Sequence, residues 1–323
     1  MKRLTYFAAA VLTAVGTLSS CDTKKPESTS TSGIATIACD ASFENILSQE
    51  IDVFEYIYPT ASIMPYYVDE HAAIDSIMKF KSKMAITTRP LNEKEVEYLK
   101  SHKKNVRQSQ IAVDAIALIV NPKNSTEILS KGEIAEILTG KVRTWDKVSP
   151  GIDGNIKVVF DHQGSSTARY MRDSLLHGEP FADNVFAQKT PGAVFDAVAA
   201  DKNAIGVIGV SWITDDMRSR EMTREEMAAR VKDNDSTEVS FNSNIKVLKV
   251  RRDDEVTAYK PYQYYIFNGD YPLYRQIYMV TTAAGGTLTH GFYSFVTGFE
   301  GQKIMLLTGV LPRVVRPQMV QIN

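Results

Sequence analysis

The sequence predicts an α/β protein built as two lobes, each a mostly parallel sheet flanked by helices. Three observations carry this. Short apolar runs alternate with amphipathic stretches from Ile34 onward, and that βαβ rhythm implies parallel strands joined by crossover helices. The rhythm runs twice, once before Pro90 and again over residues 114–210. The chain has 323 residues, 44% of them hydrophobic, which suits two lobes better than one.

Residues 34–39 read as a strand and 43–57 as a helix, with Phe43, Ile46, Leu47, Ile51 and Phe54 near helical spacing. Residues 61–67 are a second strand, and 71–80 a helix with Ile74, Ile77 and Met78 inward. Residues 84–86 are a third strand, closed by Thr87-Thr88-Arg89-Pro90; Pro90 with Glu93 and Glu95 marks a helix start. Residues 111–120 form a long apolar strand interrupted by Asp114 and closed by Asn121-Pro122. A helix at 132–138, a loop bearing Trp145, a strand at 156–160 and a helix at 167–176 follow. Residues 193–200 are a helix and 204–210 a strand. Residues 214–243 are polar and charged, and read as a surface insertion with some helix. Residues 245–250 restore a strand, a Tyr-rich segment spans 259–278, and 292–307 form two closing helices about Gly298.

The N-terminus has the order of a targeting signal. Lys2 and Arg3 precede an apolar run over residues 4–15, too short to span a membrane. Leu18-Ser19-Ser20-Cys21 then matches a lipobox. Residues 1–20 are expected to be a lipoprotein signal peptide with Cys21 as the lipidated first mature residue; the alternative is an ordinary secretory signal with a chance cysteine. Residues 21–33 lack large apolar side chains until Ile34 and are expected to be a disordered tether. The protein is therefore expected in the cell envelope, lipid-anchored to a membrane and facing the periplasm or the outer surface. The formal net charge is −1, and loss of Lys2 and Arg3 with the signal takes it to −3, which leaves no nucleic-acid footprint. Of two cysteines, only Cys39 would remain unmodified, so no internal disulfide is expected.

The segment richest in chemistry is Val158-Val159-Phe160-Asp161-His162-Gln163-Gly164-Ser165-Ser166-Thr167. An apolar strand end, a turn with one Gly and a Ser-Ser-Thr triplet opening a helix form an oxyanion cradle. A helix start leaves backbone N–H groups unpaired, and hydroxyls beside them add donors without charge. The plainer reading is that Ser166 or Thr167 caps the helix. Enzyme chemistry has weaker support. The five histidines (His71, His102, His162, His177, His290) lack metal-ligand spacing, no Gly-x-Ser-x-Gly elbow is present, and His162 reads as a turn residue rather than a base.

Four ordered segments resemble the phosphate-type substrate-binding proteins of bacterial ABC transporters, in the type 2 periplasmic binding protein class. They are Val113-Asp114-Ala115-Ile116-Ala117-Leu118-Ile119-Val120-Asn121-Pro122; residues 134–145; Gly164-Ser165-Ser166-Thr167, where the family has Gly-Ser-Gly-Thr; and Tyr271-Pro272-Leu273-Tyr274-Arg275 with residues 292–298, Gly301-Gln302-Lys303 and Leu311-Pro312. The resemblance implies the two-lobed fold of that class, with a ligand cleft between lobes. It places 34–113 and 211–323 in lobe 1 and 114–210 in lobe 2. It implies a monomer without a cofactor that captures inorganic phosphate or a similar oxyanion such as sulfate for an ABC permease and ATPase. An anion-sensing or scavenging lipoprotein is the other reading.

Carried over position by position, the resemblance makes Ser42 and Phe43 of Ala41-Ser42-Phe43 ligand contacts, with Gly164, Ser165, Ser166 and Thr167 as the cradle. Three positions depart from the family pattern. Asp161 stands where an Arg is common, Thr88 followed by Arg89 stands where an acid is common, and Val68-Asp69-Glu70-His71 replaces a Ser/Gly-rich turn. The resemblance implies one Arg and one Asp on opposite lobes, the Asp accepting the remaining proton of phosphate. The expectation is that Arg89 and Asp161 have exchanged lobes with these roles kept; otherwise Asp161 is a capping acid and Arg89 a solvated turn residue. Arg169, one turn into the cradle helix, is a second candidate cation, or else lies on that helix's outer face.

Overall fold

A computed structural model describes residues 28–162, 164–214, 222–232 and 241–314 of the chain. The expected signal peptide, Cys21 and the expected tether as far as residue 27 lie outside the described residues, as do 215–221 and 233–240 of the expected insertion.

In chain order the elements are β1 (Gly33–Asp40), α1 (Glu44–Ile57), β2 (Ala61–Val68), α2 (Glu70–Met78), β3 (Met84–Thr87) and α3 (Glu93–Ser101). The long β4 (Arg107–Val120) leads to β5 (Ile128–Ser130), α4 (Lys131–Leu138), β6 (Lys157–Phe160) and α5 (Ser166–Tyr170), which continues as a π turn over Met171–Leu175. Then come β7 (Val185–Ala187), α6 (Pro191–Ala200), β8 (Ala204–Gly209), α7 (Arg224–Lys232), β9 (Lys246–Val247) and β10 (Lys249–Arg251). The chain closes with α8 (Gln263–Phe267), β11 (Tyr274–Thr281), α9 (Leu288–Thr297), α10 (Phe299–Leu307) and β12 (Leu311–Pro312).

Local chemistry sets the helix starts. Asn92 and Glu95 form a reciprocal capping box at α3, and Ser130 and Glu133 do the same at α4. Thr190 caps α6, whose first residue is Pro191. The inner strands β3 and β8 and the second half of β4 are buried on both faces, as crossover helices require. Ile37 and Cys39 of β1 point into the main core, while Ala38 between them points into a second core made with Ile74, Ile77, Leu91 and Leu99.

The main sheet runs β2-β1-β3-β11-β4-β8-β6-β7, with β9 and β12 also pairing to β4. Its two flanks are parallel: β1 with β2 and β3, and β6 with β7 and β8. The centre is antiparallel. The first part of β4 pairs with β11 from Arg107↔Thr281 to Ala115↔Tyr274, and its second part pairs with β8 from Ile116↔Gly209 to Val120↔Ile205. One continuous strand thus belongs to both groups.

Three departures from the sequence reading matter. Residues 28–33, expected in a disordered tether, are seated on the body: Leu288 N–H donates to Ser28 Oγ at 3.2 Å, and Gly33 N–H to Thr60 O at 3.0 Å. The strand expected over 245–250 splits into β9 and β10, and β9 pairs with Ile119 and Val120, away from the first group. Within the Tyr-rich segment, residues 274–278 begin β11, a central strand. The described helix of the expected insertion, α7, buries Met227, Ala228 and Val231 and packs on α1, and Arg224 reaches Asp52 and Glu55. Trp145 is fully buried, its indole N–H donating to Asn203 O at 3.1 Å.

Candidate functional site

The two parallel flanks meet at the ends of β1, β3 and β6, where loops lead into α1, α3 and α5. Asp40, the last residue of β1, accepts the Ser42 N–H on Oδ1 at 3.0 Å, which fixes the loop Ala41–Phe43. Gly164 takes φ +81, a turn conformation open to Gly, and delivers the chain to Ser165. Ser165 then caps α5 by accepting the Ala168 N–H at 3.1 Å. The cap expected of Ser166 or Thr167 therefore falls one residue earlier, which leaves Ser166 and Thr167 facing inward, both essentially unexposed.

Hydroxyls and carboxylates from both flanks join there. Ser42 Oγ donates to Asp161 Oδ2 at 3.2 Å, and Ser166 Oγ lies 3.3 Å from Ser42 Oγ. Arg275 of β11 donates to Ser166 Oγ at 2.5 Å, and through Nε and Nη2 to Asp114 Oδ2 at 3.1 and 3.0 Å. Its guanidinium also lies over the Phe43 ring, 4.7 Å from the centroid. Arg275 and Asp114 are register partners across the ladder, so the sheet itself holds the pair in place. Gly209 leaves the room: a Cβ there would stand 2.8 Å from Asp114 Oδ2.

At the rim, Glu70 at the start of α2 accepts from Thr88 N–H and Oγ1 at 2.5 and 2.6 Å and pairs with Arg169. Arg169 also donates to Thr88 Oγ1 at 2.9 Å. Arg169 thus faces the other flank rather than the outer side of its helix.

Burial sets the protonation tendencies. It pushes the Asp114 carboxyl up, against the opposing Arg275 charge and hydrogen bonds and the Val210 N–H. For Asp161 burial acts upward too, but hydrogen bonds from His162 and Ser165 and the charges of His162 and Arg275 hold it below the usual value. The reciprocal Asp161 hydrogen bond raises His162, whose Nδ1 lies 3.5 Å from Asp161 Oδ2. Cys39 is buried, and desolvation pushes its thiol well up, the profile of an inert side chain.

Of the residues expected in the site, Ser42, Phe43, Asp161, Ser165, Ser166 and Thr167 come together, with Gly164 at the turn and Thr88 and Arg169 at the rim. Arg89 does not join them. Its guanidinium makes a two-pronged pair with Glu95, 2.8 Å on each side, because the α3 capping box holds Glu95 beside it. Arg275, Asp114, Glu70 and Asp40 were not singled out from the sequence as site residues. Asp114 showed only as an interruption of an apolar strand, Glu70 only within the Val68-Asp69-Glu70-His71 departure, and Arg275 only at the end of a family-like segment.

The fold is that of the periplasmic-binding-protein class, with the cluster of Ser42, Ser166 and Arg275 where its two sheet groups meet. The chain belongs to the PBP superfamily domain family, which residues 24–300 match. It is 21% identical over 334 aligned positions to the phosphate-binding protein PstS of Pseudomonas aeruginosa, covering 97% of this chain and 94% of that one. To PstS of Bacillus subtilis it is 32% identical over 108 residues, 33% of this chain and 35% of the other. Its fold matches the structure, with bound phosphate, of a Clostridium perfringens protein assigned as a phosphate ABC transporter substrate-binding protein: TM-score 0.67, 21% identity, 87% of this chain and 99% of the other. An ABC-type phosphate transport receptor of Vibrio cholerae matches with TM-score 0.61, 18% identity and coverage of 87% and 100%.

Proposed function

We propose that this chain is an extracytoplasmic solute-binding protein that captures inorganic phosphate and delivers it to an ABC permease and ATPase. The observation that supports this most is the convergence of Ser42, Ser166 and Arg275 where the flanks meet, in a chain whose full-length relative is a phosphate-binding protein. Ser42, Ser165, Ser166, Thr167 and the Phe43 backbone would offer uncharged donors. Arg275, with Arg169 at the rim, would offset the ligand's charge, and Asp161 would accept a proton from it. Thr88 would hold Arg169 and Glu70 in place, Gly164 would set the turn, and Arg89 would be structural. Lipidation at Cys21, an envelope location, a monomeric state and lobes divided near residues 113 and 211 complete the reading. Calorimetry of the purified mature chain with phosphate, sulfate and molybdate tests it: phosphate should bind tightest, and tighter sulfate binding would sink the assignment.

A further inference from the structure

We propose that the cluster around Ser42 is built for an oxyanion that still carries two protons, so that the chain takes the monoanion of phosphate in preference to the dianion. This rests on the phosphate reading above and narrows it.

Ser42 stands between two buried carboxylates. Its N–H goes to Asp40 Oδ1 and its Oγ to Asp161 Oδ2, the same Asp161 oxygen that His162 Nδ1 faces at 3.5 Å. The other two oxygens, Asp40 Oδ2 and Asp161 Oδ1, meet no hydrogen-bond donor among the described residues, although the residues are 0% and 1% exposed. Thr167 Oγ1 is likewise buried without a partner among the described residues. A buried carboxylate oxygen left bare is costly, so such atoms point to donors supplied by a ligand. A fully ionised oxyanion supplies none, because its oxygens only accept. Each protonated oxygen supplies one. Two bare acceptors flanking one serine match two ligand hydroxyls, whereas the family pattern described above provides a single carboxylate acceptor. Thr167 can donate to one of the ligand's unprotonated oxygens.

The charges point the same way. Arg275 is matched by Asp114 and Arg169 by Glu70. Asp40 and Asp161 are left over, with His162 beside Asp161 and the acids Asp69 at the α2 cap, Glu44 on α1 and Asp173 beyond α5 contributing at longer range. The cluster thus sets four carboxylates, Asp40, Asp161, Asp114 and Glu70, against two guanidiniums with His162 beside them, and a second negative charge on the ligand meets more repulsion than the first.

The test is calorimetry of the mature chain with inorganic phosphate at fixed ionic strength on both sides of neutrality, where phosphate passes from monoanion to dianion. Affinity for total phosphate should fall about tenfold per pH unit on the alkaline side. Asp40→Asn keeps the cap on Ser42 N–H and should flatten that fall to about threefold or less. His162→Gln should leave the slope in place, because the proton travels on the ligand. With the unsubstituted chain, sulfate should fail to displace phosphate on either side. Equal affinity across neutrality, a slope unchanged in Asp40→Asn, a slope abolished by His162→Gln, or displacement by sulfate overturns the proposal while phosphate binding stands. Absence of phosphate binding at every pH overturns the phosphate reading itself.

Discussion

Arg275 is the residue on which most of the site depends. It is 4% exposed, holds Asp114 with two donors and Ser166 with a third, and covers Phe43. Removing one partner of a buried ion pair strands the other charge, so Arg275→Ala should cost about 3–5 kcal/mol in chemical denaturation. The double variant Arg275→Met, Asp114→Leu should recover part of that loss and still lack anion affinity. His162 carries a pH signature. Asp161 raises it, so its contribution to stability is present below the ordinary histidine value and is lost as pH rises through the raised value. Partial exposure and solvent screening keep this under about 1 kcal/mol. His162→Gln should therefore remove a small decline in melting temperature just above the ordinary histidine range, and an unchanged decline would place its origin elsewhere. Neither Arg275 nor Asp114 announces a site in the sequence: Asp114 looks like a polar fault in an apolar strand, and Arg275 lies in a Tyr-rich stretch that does not read as a strand. Only their pairing, across 161 positions of chain, gives either a meaning.

Among the elements, most helices and the parallel strands β1, β2, β3, β6 and β8 were legible because their signals are local: 3.6-residue spacing, capping acids, Pro90 before α3. The short β5, β7 and α8 carried too few residues to show one. β11 was not legible either. Its outward residues are Tyr274 and Gln276, and one of its inward residues is Arg275, so the alternation of a half-buried strand is there but spoken with the wrong residue types. The cradle was legible as Gly164-Ser165-Ser166-Thr167; which hydroxyl caps and which faces inward was not, since a shift of one residue leaves the sequence signal unchanged. Arg89 misled for a related reason, as the Glu95 that claims it was noted only as a helix-start acid. At β8 the fit is tight. A Cβ on Gly206 would approach Val194, Ile119 and Val198 side chains at 2.7, 2.8 and 3.0 Å. Gly206→Ala should overpack this layer between α6 and β4 and cost about 1–3 kcal/mol, read as a lower denaturation midpoint.

Across the whole molecule, the seated segment at residues 28–33 ties the start of the described chain to α9. A side chain at Gly291 would collide with the Ser30 backbone carbonyl. Gly291→Ala should therefore lift this segment and expose it to proteases, with phosphate affinity unchanged; equal cleavage in both proteins would show that the segment is not held there. The two-group architecture was legible from the repeated βαβ rhythm, but how the groups join was not, since no local pattern marks one strand shared by two groups of a single sheet. That sharing has a mechanical consequence. Asp114 lies two residues before the point on β4 where the partner changes from β11 to β8. If one flank rotates against the other, β4 is the natural axle, and groups close to an axle hardly travel. Ser42 and Ser166, farther out on opposite arms, would part and meet like jaws. The guanidinium pinned to Asp114 would stay almost still, a fixed positive charge that an incoming anion finds at the same address whether the jaws are wide or shut.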